Sequence, residues 1–264
     1  MNRHWDFWVN WGRGWFDLTY TERLELEALE RLSLAGQNFR SLPEWFGRLT
    51  SLQRLNLRNT LLTALPESFG SLKSLERLDL SMNRLSELPE SFWSLKSLEE
   101  LNLLENRLSA LPESFGRLSS LKTLYLTLNH LSSLPESIGL LSSLKTLGLG
   151  KNRLTTLPDT IGLLKSLEVL DLSGNRLSTL PWSLGRLESL KMLSLGDNEL
   201  TALPDTLWAL ESLEVLNLSG NRLTEFPEFV FSLPLMRLAI SGNLFTPSPE
   251  QRARLARLGC EVIS

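Results

Sequence analysis

The chain has one cysteine, Cys260, in 264 residues. No disulfide can therefore form within it, and oxidation plays no part in the fold. Histidine is almost as scarce, with only His4 and His130. One thiol and two distant imidazoles leave Cys–His pairs, Ser–His–Asp triads and zinc spacings without residues to fill them. Lysine and arginine total 27 against 30 acids, for a net charge of −3. This excludes a general nucleic-acid binder, whose affinity comes from many cations facing phosphates. No apolar run approaches the roughly 18–20 residues of a membrane span, so a membrane is not expected as a partner. The first ten residues contain Trp5, Phe7, Trp8 and Val9, but Asp6 and Asn10 interrupt them. No small-residue cleavage site follows, so a secretory leader is not expected and a cytoplasmic location is. Gly148-Leu149-Gly150-Lys151 has the look of a phosphate loop. Lys145 stands where that loop needs its first glycine, however, and Asn152 where it needs Ser or Thr. Asn217-Leu218-Ser219 is formally a glycosylation sequon, but it falls in an expected strand and is read as chance. No catalytic residue, cofactor site or metal site is assigned.

Leucine is abundant, and it is periodic. Leu75-Glu76-Arg77-Leu78-Asp79-Leu80-Ser81-Met82-Asn83-Arg84-Leu85 returns every 23 residues, followed by a Leu-Pro pair that is once Phe-Pro. The asparagines of this frame are Asn83, Asn106, Asn129, Asn152, Asn175, Asn198 and Asn221. Asn243 follows after 22 residues, while Gln37 and Thr60 occupy the first two positions of the column. In the frame L-x-x-L-x-L-x-x-N-x-L, the central x-L-x reads as a short strand whose leucine points inward and whose flanking residues point out. The asparagine carries both an acceptor and donors, so it can satisfy buried backbone groups in its own turn and in the next. The column is expected to form a ladder, each rung worth about 1–3 kcal/mol. After the proline a short helical turn is expected, with Phe69, Phe92, Phe115, Ile138, Ile161, Leu184 and Leu207 as a second core column.

The sequence resembles the bacterial leucine-rich repeat proteins of the 23-residue type. The resemblance rests on Leu111 to Leu131 and its copies, and on a tail from Asn243 to Ile263. It implies an α/β solenoid: an arc with a parallel sheet on its concave face, short helical turns on its convex side and a cap at each end. The expected divisions are a Trp-rich N-terminal cap over 1–28, about ten repeats over 29–245 and a helix–strand cap over 246–264. In the last, Ser248 is the N-cap, Pro249 the first helical residue and Gln251 the capping-box partner; Leu255 and Leu258 face inward, and Gly259 ends the helix.

The resemblance implies binding of a macromolecule rather than catalysis. A protein partner on the concave face is the first reading. The alternatives are a pathogen effector or surface protein binding a host target, and an envelope-associated protein anchored by Trp5, Trp8, Trp11 and Trp15. Outward residues are individual in the early and middle repeats: Arg54, Asn56 and Arg58; Arg77, Asp79 and Met82; Glu100, Asn102, Leu104 and Glu105; Tyr125, Leu128 and His130. Aromatic, Arg and exposed apolar side chains carry most interface energy. Tyr125 and Leu104 are expected to be neighbours, with Arg54, Arg58 and Arg77 as a basic rim. Late repeats are plainer, with Ser173, Gly196, Ser219 and Ser241 beside Val169, Met192 and Val215. Arg84, Arg107, Arg153, Arg176 and Arg222 form a further column, read as a solvated one that His130 interrupts. Trp93, Trp182 and Trp208 fall at convex positions. A monomer is expected, with weak self-association through this side as the alternative.

Overall fold

The computed structural model describes residues 19–263. The tryptophans at 5, 8, 11 and 15 and His4 lie outside them. Eleven short strands make one parallel sheet in strict chain order. They are β1 (Arg31–Ser33), β2 (Arg54–Asn56), β3 (Arg77–Asp79), β4 (Glu100–Asn102), β5 (Thr123–Tyr125), β6 (Thr146–Gly148), β7 (Val169–Asp171), β8 (Met192–Ser194), β9 (Val215–Asn217), β10 (Arg237–Ala239) and β11 (Glu261–Ile263). Each residue from β1 to β8 pairs with the one 23 positions on, as Leu78 does with Leu101. The register is 22 from β9 to β10 and 24 from β10 to β11. The central leucine of each strand from β1 to β10 is buried while its neighbours face out, as alternation requires.

Asparagine closes the turn after each strand. Asn129 Oδ1 accepts the Leu108 N–H of the preceding repeat at 3.0 Å. Its Nδ2 donates to Leu103 O at 2.9 Å and to Leu126 O at 3.0 Å. The same set recurs at Asn83, Asn106, Asn152, Asn175, Asn198, Asn221 and Asn243. Thr60 meets the ladder from the other side: its N–H donates to Asn83 Oδ1 at 3.1 Å, and it is fully buried. Gln37 is exposed.

The convex side carries 3₁₀ turns, such as Glu67–Ser71 and Glu113–Arg117. Their aromatic and aliphatic column is buried from Phe46 to Leu207, with Phe46, Phe69 and Phe92 stacked at centroid distances of 6.2 and 5.9 Å. A second ladder runs along these turns. Ser68, Ser91, Thr160 and Thr206 each donate a hydroxyl hydrogen bond to the carbonyl of the preceding turn's first residue, at 2.6–2.7 Å. Glycine permits the approach: a Cβ at Gly70 would lie 2.4 Å from Ser91 O. Trp93 occupies this glycine position. Its ring is buried at 5.7 Å from Phe115, edge to face, and its Nε1 has no hydrogen-bond partner. The next turn is pushed off the regular bond there, and the Ser114 hydroxyl donates to the Glu90 carboxylate instead.

Among the described residues a helix lies near each end of the array. Helix α1 (Tyr20–Glu27) is capped by a reciprocal Thr19–Glu22 box, and its Leu26 is buried against the core. Helix α2 (Pro249–Arg257) has the Ser248–Gln251 box and Pro249 in its first turn. Leu255 is buried, but Leu258 is not: it is 54% exposed. Leu258 is the helix C-cap, before Gly259 at φ +76°, so the helical spacing that would turn it inward has already ended.

Candidate partner-binding site

The concave surface is built from four outward columns. The first strand position holds Arg31, Arg54, Arg77, Glu100, Thr123, Thr146, Val169, Met192, Val215 and Arg237. Its basic end is partly compensated, because Arg77 pairs with Glu100 at 3.3 Å. Arg54 lies in register between Arg31 and Arg77. Arg31 belongs to this group and was not singled out from the sequence. Val169, Met192 and Val215, read from the sequence as plain late residues, stand side by side as an apolar stripe.

The third strand position has a local duty. Asn56, Asp79, Asn102, Asp171 and Asn217 each accept the backbone N–H two residues on, at 2.8–3.0 Å. These side chains fix the end of the strand as Asx turns, and all five are half-buried. Tyr125 breaks the column. It is 42% exposed and leans over the next strand, where a Cβ added to Gly148 would sit 3.0 Å from its Cδ1. Tyr125 stands opposite Asn102, not Leu104. Leu104 lies two residues further along, beyond the strand and half-buried, so the two are diagonal and the expected direct juxtaposition is not formed.

The column just before each asparagine is left-handed throughout. Gly36, Gly174, Gly220 and Gly242 take φ between +65° and +74° there. Asn59 and Asp197 do the same, and these residue types tolerate it. Four consecutive repeats instead carry Met82, Glu105, Leu128 and Lys151, at φ +54° to +58°. Such a conformation costs an L-residue about 1–2 kcal/mol. Leu128 is 42% exposed, and Glu105 and Lys151 are also exposed. The sequence signal was available: glycine recurs in this column at 36, 174, 220 and 242, and the other residues share its turn.

Charge is laddered along the strand entries. Lys122 pairs with Glu99 at 2.7 Å, and Glu168 is held by Lys191 at 2.9 Å and Lys145 at 3.4 Å. The hydrogen bond and charge of Lys191, then those of Lys145, hold the Glu168 carboxyl below its ordinary value. Burial, then the neighbouring Glu261, push the Cys260 thiol up and away from reactivity. His130 is exposed at the rim, its N–H bonded to Leu108 O. On the convex side the three tryptophans part company: Trp93 is core, while Trp182 and Trp208 are 50% and 58% exposed. Arg186 lies 4.2 Å over the Trp182 ring. Among the described residues, no cluster of three or more His, Cys, Asp or Glu could hold a metal ion. No helix among them is long and apolar enough to cross a membrane.

Two family models match the chain, one described as "Leucine rich repeat" over 119–177 and 165–223, the other as "Leucine-rich repeat region" over 18–131. No curated protein matches it. Among solved structures, a leucine-rich repeat protein of Leptospira interrogans is 28% identical, covering 93% of this chain and 86% of its own, at a TM-score of 0.38. A plant peptide hormone receptor in complex with RGF2 is 28% identical over 85% of this chain and 42% of its own, at a TM-score of 0.67. The functional domain of InlJ from Listeria monocytogenes is 23% identical over 88% of this chain and 48% of its own, at a TM-score of 0.75. The chain thus spans less than half the length of the last two. Buried asparagines, a single parallel sheet in chain order and matches running from residue 18 to 223 all belong to one architecture: the chain is a leucine-rich repeat solenoid.

Proposed function

We propose that the chain is a non-enzymatic binding module that docks a protein partner on its concave face and the adjoining rim, over repeats two to six. One observation carries the reading. Met82, Glu105, Leu128 and Lys151 hold bulky side chains in a backbone conformation that glycine adopts at lower cost, and they do so in four successive repeats. Strain of this kind collects at functional positions. Beside this stripe stand Tyr125 and Leu104, with Arg54, Arg58 and Arg77 toward one end; these are the residue types that anchor interfaces. Asn56, Asp79 and Asn102 shape the floor through their backbone bonds, and contribute less contact energy than Tyr125 or Leu128. The similarity to a plant receptor solved with a peptide hormone supports a polypeptide ligand as the class. The division into an N-terminal cap, a repeat array and a C-terminal helix–strand cap is part of the same proposal.

The test is to capture proteins from the native lysate on the immobilised chain, with Tyr125→Ala/Leu104→Ala as control. The double variant should melt within a few degrees of the parent and retain the captured protein at least tenfold less well. Equal retention by the two chains would remove these residues from the site.

A further inference from the structure

One rim of the solenoid carries a column of cations that the chain itself does not neutralise. In five successive repeats the residue after the ladder asparagine is Arg84, Arg107, His130, Arg153 and Arg176, and all five are exposed. Their backbones are locked in step. The N–H of Arg107 donates to Leu85 O, that of His130 to Leu108 O, that of Arg153 to Leu131 O and that of Arg176 to Leu154 O, each at 2.9 Å. Successive rungs therefore stand about 5 Å apart, and the five span about 20 Å. Like charges at that spacing repel. Among the described residues none of the four arginines has an ion pair, although Glu87 and Glu105 are close in sequence. The rung after Arg176 shows the alternative: Glu199 pairs with Arg222 at 3.1 Å. The unpaired column lies two residues beyond the left-handed stripe of Met82, Glu105, Leu128 and Lys151, so it borders the concave site.

We infer that this column is a docking track for an acidic segment of a protein partner, lying extended along the rim. It rests on the concave-face reading above, since it describes the same partner. Charge complementarity selects the occupant. In an extended chain the side chains on one face recur at roughly 7 Å, so four carboxylates at alternate positions cover about 20 Å. That matches the length of the column, with one carboxylate for each arginine, and the long arginine side chains take up the difference in pitch. The planar guanidinium fork suits a carboxylate better than an ammonium group does. A nucleic acid fits less well. The chain is net −3, and Glu90, Glu113, Glu136 and Asp159 form an acidic column six residues further along the same loops. Those acids repel a backbone charged at every residue. His130 is the one rung counted as neutral at pH 7, so arginine there makes the track continuous.

Titration of the full chain with a synthetic peptide, followed by backbone amide shifts, tests it. The probe carries glutamate at four alternate positions, with serine and glycine elsewhere. In about 20 mM NaCl it should bind with a Kd of roughly 0.1–3 mM and shift the amides along the arginine column, and in about 300 mM NaCl it should bind at least fivefold more weakly. The same peptide with glutamine for glutamate should not bind. Arg107→Gln/Arg153→Gln should weaken the probe at least threefold, and His130→Arg should tighten it about two- to fivefold, the range for one exposed pair. Lys96→Gln/Lys165→Gln removes the same charge beside the convex turns and should leave binding unchanged. Absence of shifts up to about 5 mM probe overturns the inference. So does an equal loss in the lysine control, an undiminished affinity in the double arginine variant, no gain from His130→Arg, or a glutamine peptide that binds as well. A short oligothymidylate that binds as tightly would assign the column to nucleic acid and overturn it too. If the probe fails while capture still depends on Tyr125 and Leu104, only the track is lost. If the probe behaves as expected while capture is indifferent to those two residues, the concave-face reading falls instead.

Discussion

Replacing Asn129 with alanine tests how the array is held together. Asn129 is 3% exposed and sits in the middle of the ladder. Its loss strands the Leu108 N–H, which it accepts at 3.0 Å, and removes the donor shared by the Leu103 and Leu126 carbonyls. The Leu108 amide belongs to the preceding repeat, so the damage falls on the joint between two repeats as well as on one turn. A buried donor left unpaired costs about 1–3 kcal/mol, and the carbonyls add to that, so a total of about 2–4 kcal/mol is expected. Asn243→Ala should cost less, about 1 kcal/mol, because its site is only half-buried and it stands at the last rung. Urea unfolding of both variants gives the comparison, and amide exchange at Leu108 localises it. Repeat arrays can lose two-state behaviour, so the exchange rate is the firmer readout. Equal losses at the two positions, or a loss below about 0.5 kcal/mol at Asn129, would refute the idea that these side chains bridge repeats.

Gly70→Ala should destabilise by about 1–3 kcal/mol in the same urea assay, because its Cβ would lie 2.4 Å from Ser91 O and the convex turns would have to separate. Ser248→Ala, which removes the N-cap bond of helix α2, should cost about 1 kcal/mol, read by helix amide exchange near Gln251. Glu168, whose ordinary value is 4.5, should titrate lower by carboxyl NMR, and Lys191→Gln should bring it back toward that value. Since the folded carboxyl is the more acidic one, its contribution to stability is present above the unfolded midpoint and lost as pH falls through the folded one.

Much of the fold was legible because the constraint is repeated. A leucine that must face inward and an asparagine that must satisfy the turn each recur at one spacing, so Asn83 to Asn243 could be placed before any strand was seen. The ends were harder. Helix α1 announces itself only through Thr19 and Glu22, and Leu258 was misplaced because the helical period was carried one residue past Arg257, where the helix ends. The convex Ser/Thr ladder escaped notice since serine at Ser68 or Ser91 looks like a solvated choice until the turns are seen to touch. At the concave site the sequence named Tyr125 and Leu128, but could not say that Asn56, Asp79 and Asn102 are held by their own backbone. That Leu128 sits in a left-handed turn is not told by leucine itself, but only by the glycines at 36, 174, 220 and 242 that share its place in the repeat.

The proposal that strain is retained for binding predicts that stability and binding move in opposite directions. In the variant Met82→Gly/Glu105→Gly/Leu128→Gly/Lys151→Gly each site is relieved of about 1–2 kcal/mol, offset by about 0.5–1 kcal/mol of extra chain entropy for glycine. A net gain of roughly 2 kcal/mol is expected in urea unfolding. The direct measurement is unfolding free energy and retention of the captured protein on this variant and its parent, side by side. The account predicts a more stable chain that no longer holds its partner; a less stable chain, or undiminished retention, would contradict it.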